Sequence, residues 1–130
     1  MKKVIITSLI SSTILLTGCN AIKEQAAGMV LGDKFVQANE QLNQCDLSSL
    51  TYLKSAAADD KNPIVQNAAL LVLGAHFAAD GNMRAVDTVA QKIANMSDTT
   101  TFAEQRKAII EGGKETAKDR IENGFTANCK

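Results

Sequence analysis

The side chains able to do chemistry are few. The chain of 130 residues holds one histidine, His76, and three cysteines, Cys19, Cys45 and Cys129. An imidazole serves near neutrality as acid, base or metal ligand, and a thiolate as nucleophile or ligand. The cysteines stand far apart: no Cys-x-x-Cys pair and no Cys/His cluster occurs, so a dithiol redox site and a zinc centre both lack their spacing. His76 lies between Ala75 and Phe77 in the most apolar stretch of the chain, where a packed or rim imidazole is the ordinary outcome and a general base the rarer one. The pair Asp59-Asp60 falls in a linker and reads as a solvated turn. EF-hand carboxylate spacing and a phosphate-cradling Gly-x-x-x-x-Gly-Lys are absent from the sequence. Chain order alone places no Ser-His-Asp set. The reading is therefore not an enzyme, with no catalytic residue, metal ligand or cofactor site.

The composition bounds the rest. Lys+Arg and Asp+Glu number 14 each, and a zero balance lacks the basic footprint of a nucleic-acid binder. The length suits one domain. A single proline and an abundance of Ala, Leu, Lys, Gln and Glu favour helix over sheet.

Lys2 and Lys3 precede a mostly apolar run, Val4 to Leu16. As a helix this run measures about 20 Å, too short to span a bilayer, and it has the layout of a secretory signal. Leu16-Thr17-Gly18-Cys19 follows and resembles the lipobox of bacterial lipoproteins. The resemblance implies cleavage before Cys19, a diacylglycerol on its thiol and a further acyl chain such as palmitate on its amine. Two or more chains hold a protein stably, at about 0.8 kcal/mol per buried CH₂. Asn20, where some enterobacterial lipoproteins carry the Asp that retains them at the inner membrane, leans towards the outer membrane. The expected division is a signal peptide over 1–18, a lipidated tether over 19–28 and a helical domain over 29–130. Loss of Lys2 and Lys3 with the signal turns the zero balance to −2.

With Cys19 assigned to lipid, Cys45 and Cys129 remain. An oxidising compartment then points to one disulfide between them. It would close a loop of about 85 residues, worth about 4.5 kcal/mol in the chain-entropy model.

Periodicity predicts helices throughout. The first runs from Ile22 to about Gln44, weakened by Gly28 and Gly32. Asp46 is the expected cap of a short second helix through Leu50, Leu53 and Ala57. Asn62 and Pro63 start a third, from Pro63 to about Asp80, apolar almost all round and so central. A fourth carries Met83, Val86, Val89, Ala90, Ile93 and Met96 on one face. Thr101 and Glu104 fit a capping box for a fifth, Phe102 to about Glu122, with Ile109, Ile110, Ala117 and Ile121 inward. A kink is expected at Gly112-Gly113 and a left-handed stop at Asn123-Gly124. Lys107, Lys114, Lys118 and Arg120, interleaved with Glu104, Glu111, Glu115 and Asp119, read as a solvated charged face.

The expected fold is all-α: a compact bundle of about four to five helices, with a short helical-hairpin array as the alternative. Residues 60–74, followed by 81–86, look like one HEAT-type hairpin, and Leu73, Gly74, Phe77 and Gly81 fit a tetratricopeptide hairpin as well. A weak repeat at an offset of 39 matches Gly74 with Gly113 and Leu70 with Ile109. Asn43-Gln44-Cys45-Asp46-Leu47-Ser48 resembles the start of the Cys-bearing segment of the helical pilotins of type II secretion, whose partner is a short secretin helix. The function expected is an outer-membrane-anchored periplasmic interaction or assembly module, of the secretin-pilotin kind. The alternative is an immunity lipoprotein that blocks a toxin by binding it.

Overall fold

The computed structural model describes residues 30–129. The predicted signal 1–18, Cys19 and the tether 19–28 lie outside the described residues. The chain divides into two compact units, Met1–Val36 and Gln37–Lys130. Helices make up all the regular structure among the described residues: α1 (Asp33–Asn43), α2 (Leu50–Ala57), α3 (Pro63–Ala79), α4 (Met83–Met96) and α5 (Phe102–Glu122), with a 3₁₀ turn at Leu47–Ser49 before α2. Within the second unit α3 is central and packs on α2, α4 and α5, while α4 also packs on α5. The packing is compact and all-helical, as expected.

The starts are fixed by side chains. The Asn62 carboxamide oxygen accepts from the Val65 amide at 3.4 Å, and Pro63 follows at the first helical position. The Asn82 carboxamide oxygen accepts from the Ala85 amide at 3.2 Å to start α4. Thr101 and Glu104 form the full capping box, satisfying two amides that the first turn of α5 leaves without partners. Asp46 caps the 3₁₀ turn, accepting from the Ser48 amide and hydroxyl at 3.1 and 2.6 Å. Ser49, at the start of α2, makes no side-chain cap.

Two expectations are corrected. The first helix does not run through to Gln44. Val30 and Leu31 are helical, Gly32 breaks the helix at a φ of 93°, and α1 starts anew with its Phe35 amide on the Gly32 carbonyl. Ile121 is not inward but 59% exposed, and Arg120 beside it is fully buried. The buried face of α5 is Ile109, Gly113 and Arg120, a spacing of four and seven that leaves Ile121 a hundred degrees round the helix. At Gly112-Gly113 α5 continues as one helix of 21 residues.

Those glycines instead set the approach of α5 to α3. A Cβ on Gly113 would overlap the Ala78 methyl and stand 3.1 Å from the Ala79 nitrogen and 3.2 Å from the Ala75 carbonyl oxygen. A Cβ on Gly74 would meet Ile109 Cγ2 at 2.9 Å. The two glycines matched at the offset of 39 are thus the two contact points of one helix pair. The repeat relates two similar helices that pack on each other. A Gly112 Cβ would meet only the Ala75 methyl, at 3.7 Å, an ordinary contact. Gly113→Ala should therefore lower stability by about 1–3 kcal/mol through overpacking. Gly112→Ala should be neutral or stabilising by up to about 1 kcal/mol, from helix propensity. Thermal unfolding of the two variants checks this order, and the reverse order would contradict the packing described.

Candidate functional site

The titratable groups converge where α3 and α5 end. His76 and Asp80 lie one turn apart at the end of α3, so their side chains share a face. Arg120 comes from the last turn of α5. Its Nη2 donates to the Leu42 carbonyl at 3.1 Å and to His76 Nδ1 at 3.0 Å, and its Nη1 donates to the Ala127 carbonyl at 3.1 Å. Asp80 Oδ1 lies 3.7 Å from Nη1 and accepts the Cys129 amide at 2.9 Å. His76 Nε2 lies 3.4 Å from Asp80 Oδ2. The Arg120 Nε hydrogen is buried without a partner.

The carbonyls facing Arg120 come from chain ends built by one device. Three helices finish in the same pair of bonds. The Asp46 amide reaches Gln41, the Asn82 amide reaches Phe77 and the Phe125 amide reaches Arg120, each beside a bond from the preceding residue to a carbonyl three residues back. The left-handed residue is Gly81 or Gly124 in two of them and Cys45, at φ 59°, in the first. A β-carbon in that region costs about 1–2 kcal/mol. Cys45 holds it while bonded to Cys129, their Cα atoms 5.2 Å apart. The expected disulfide is therefore present, and it ties the end of α1 to the tail after α5.

Proton positions follow from the geometry. A guanidinium has only hydrogens to offer, so His76 Nδ1 must present its lone pair and the ring hydrogen sits on Nε2, facing Asp80. Burial disfavours the imidazolium and holds the His76 pKa below its ordinary value. Asp80 pulls it up, while Arg120 and Lys54 push it further down. Burial also lowers Arg120, with Asp80 opposing, but a guanidinium stays charged at any ordinary pH.

This arrangement answers the chemical question posed by the sequence. A His76 ring nitrogen, an Asp80 oxygen and Cys129 Sγ come within 4.8 Å of one another, the makings of a metal site. Cys129 is spent in the disulfide, and a metal on Nε2 would put a hydrogen on Nδ1, against the Arg120 donor. These residues fit a metal poorly. His76 is 4% exposed and its one free edge faces Asp80, so it is the packed imidazole of the sequence reading. Asp59 and Asp60 are turn residues. Asp59 accepts the Lys61 amide at 3.0 Å and Asp60 accepts Gln66 Nε2 at 2.8 Å, while the same nitrogen donates to the Ala57 carbonyl.

Arg120 departs from the solvated charged face that its type predicts. Its spacing from Ile109 and Gly113 is the signal that puts it inward, and the rest of that face is exposed as expected.

No family model matches the chain, and no match emerges among curated proteins or solved structures.

Two outcomes follow. Arg120→Ala should destabilise by about 3–5 kcal/mol, because it strips the partner from a half-enclosed carboxylate; urea unfolding measures it, and a loss under 1 kcal/mol would contradict the clamp. The pH dependence has a defined sign. The unfolded chain takes up a proton on its single histidine below about pH 6.5, while the folded chain resists it. Stability is thus full above that pH and declines as pH falls through it, until the buried ring itself protonates. His76→Gln should flatten the decline below about pH 6.5, read by melting temperature across the range.

Proposed function

We propose that the protein is a lipid-anchored protein of the bacterial outer membrane, facing the periplasm, that serves as an interaction or assembly module. One observation carries the reading. Cys45 and Cys129 pair with each other, which leaves Cys19 as the third thiol, at the end of a basic and then apolar leader in Leu16-Thr17-Gly18-Cys19. Among the described residues no helix is long and apolar enough to cross a membrane, so nothing there competes with a lipid as the anchor.

The disulfide supports an oxidising compartment. The buried polar cluster supports a binding role over catalysis, since its groups are turned on one another. Within this reading the secretin-pilotin role is the sharper form: a small domain that seats a short secretin helix. Cys129 follows the last helix here, whereas the pilotin pattern places its second cysteine before it. The other form, a lipoprotein that blocks a toxin, shares the anchor and the disulfide, and the two part on the partner recovered with the native protein.

The anchor is tested first. Mass spectrometry of the mature amino-terminal peptide should find Cys19 carrying diacylglycerol and an acyl chain, and Cys19→Ser should move the protein from the membrane fraction. An unmodified thiol at Cys19 in the native protein would overturn the reading.

A further inference from the structure

The sequence makes α3 apolar almost all round, and the fold buries only one side of it. The buried side runs through Val65, Ala69, Leu73 and His76. At about 100° per residue, Ile64, Ala68, Leu71 and Ala75 fall on the opposite side, in a stripe about 60° wide. Ile64 is 62% and Leu71 39% exposed, and the two alanines are half-buried. No Lys, Arg, Asp or Glu occurs from Pro63 to Ala79. Asn67, exposed, is the polar group at the edge of the stripe. α5 borders it at Gly112, which lies against the Ala75 methyl and has no side chain to raise. The outward side of a helix is ordinarily polar, and an apolar one left open marks a contact surface.

We propose that this face pairs with the same face of a second copy of the chain, α3 against α3, antiparallel about a two-fold axis. The sizes of the side chains select that partner. In the antiparallel pair Ile64 faces Ala75 of the other copy and Ala68 faces its Leu71, so each large side chain fills the space over a small one. A parallel pair would set Ile64 on Ile64 and Leu71 on Leu71 and hold the alanines apart. Every contact of the antiparallel pair occurs twice, as an isologous interface requires. Charge agrees with it. Lys61, exposed and in none of the ion pairs among the described residues, would stand at the carboxyl-terminal end of the other copy's α3, the negative end of its dipole. The face is about 25 Å long and about 10 Å wide. That is well short of the about 800 Å² each partner buries in a stable complex, so the pairing belongs to the weak class and needs crowded copies. Confinement to a membrane surface would crowd them, and to that extent the proposal rests on the anchor reading.

The test is site-specific photocrosslinking of the full-length protein in its native cells, followed by membrane fractionation. The crosslinker replaces either Asn67, at the edge of the stripe, or Thr88, exposed on α4. The expected result is an Asn67 adduct of twice the chain mass, in the membrane fraction, whose crosslinked peptide maps to α3 of the second copy, with no counterpart from Thr88. Leu71→Glu, which would bury two unpaired carboxylates in the pair, should cut the yield about tenfold or more. Ala68→Leu should also cut it, because leucine would then meet leucine. Adding Leu71→Ala exchanges large and small and should bring the yield back to within about twofold of the parent. Generic stickiness would not reproduce that rescue. An Asn67 adduct only to residues 19–30 of the same chain, to lipid or to another protein, an equal double-mass adduct from Thr88, or no recovery in the exchanged variant would each overturn the pairing. Membrane-bound protein without the double-mass adduct overturns the pairing and leaves the anchor standing. Soluble protein with the adduct overturns the anchor and leaves the pairing, and soluble protein without it overturns both.

Discussion

Arg120 carries a charge that water does not reach, so its surroundings must supply the acceptors. They come from four places: the Leu42 carbonyl at the end of α1, His76 and Asp80 on α3, and the Ala127 carbonyl in the tail. None of these is a spare group. The Leu42 carbonyl also takes the Cys45 amide at 3.0 Å, and Asp80 also takes the Cys129 amide. The disulfide sits just outside, holding the two chain ends whose carbonyls the guanidinium needs. A buried ion pair is weak as a source of net stability, since desolvation offsets most of the attraction. What it supplies here is position: α1, α3 and the tail have one relative placement that satisfies the cation.

The helices were largely legible because their signals are local. Asn62-Pro63, and Thr101 with Glu104, each announce a start through a hydrogen bond within three residues. The disulfide was legible once Cys19 was set aside by its lipobox resemblance. What escaped reading was long-range. Gly113 looks like a weak point in a helix until Ala78 is placed across from it. Arg120 looks like a surface residue until α1 and the tail bring it carbonyls from 78 and 7 residues away. Cys45 gives no local sign of a left-handed backbone, because that conformation is imposed by the helix end and the disulfide together. His76 was read as packed, and its partners depend on the same distant contacts.

The proposed anchor would rest on chemistry at Cys19 and on acyl chains in a bilayer. The buried cluster takes no part in it. It uses up the histidine, the Asp80 carboxylate and both remaining cysteines in holding the chain together.

Because the whole arrangement turns on Arg120 donating to a neutral imidazole, the ring nitrogens of His76 report on it without intermediaries. Nitrogen-15 shifts of the intact, oxidised protein at pH 7 should show a hydrogen on Nε2 and a bare, hydrogen-bonded Nδ1. A hydrogen on Nδ1, or an imidazolium with both nitrogens protonated, would mean that the guanidinium is not where this account puts it.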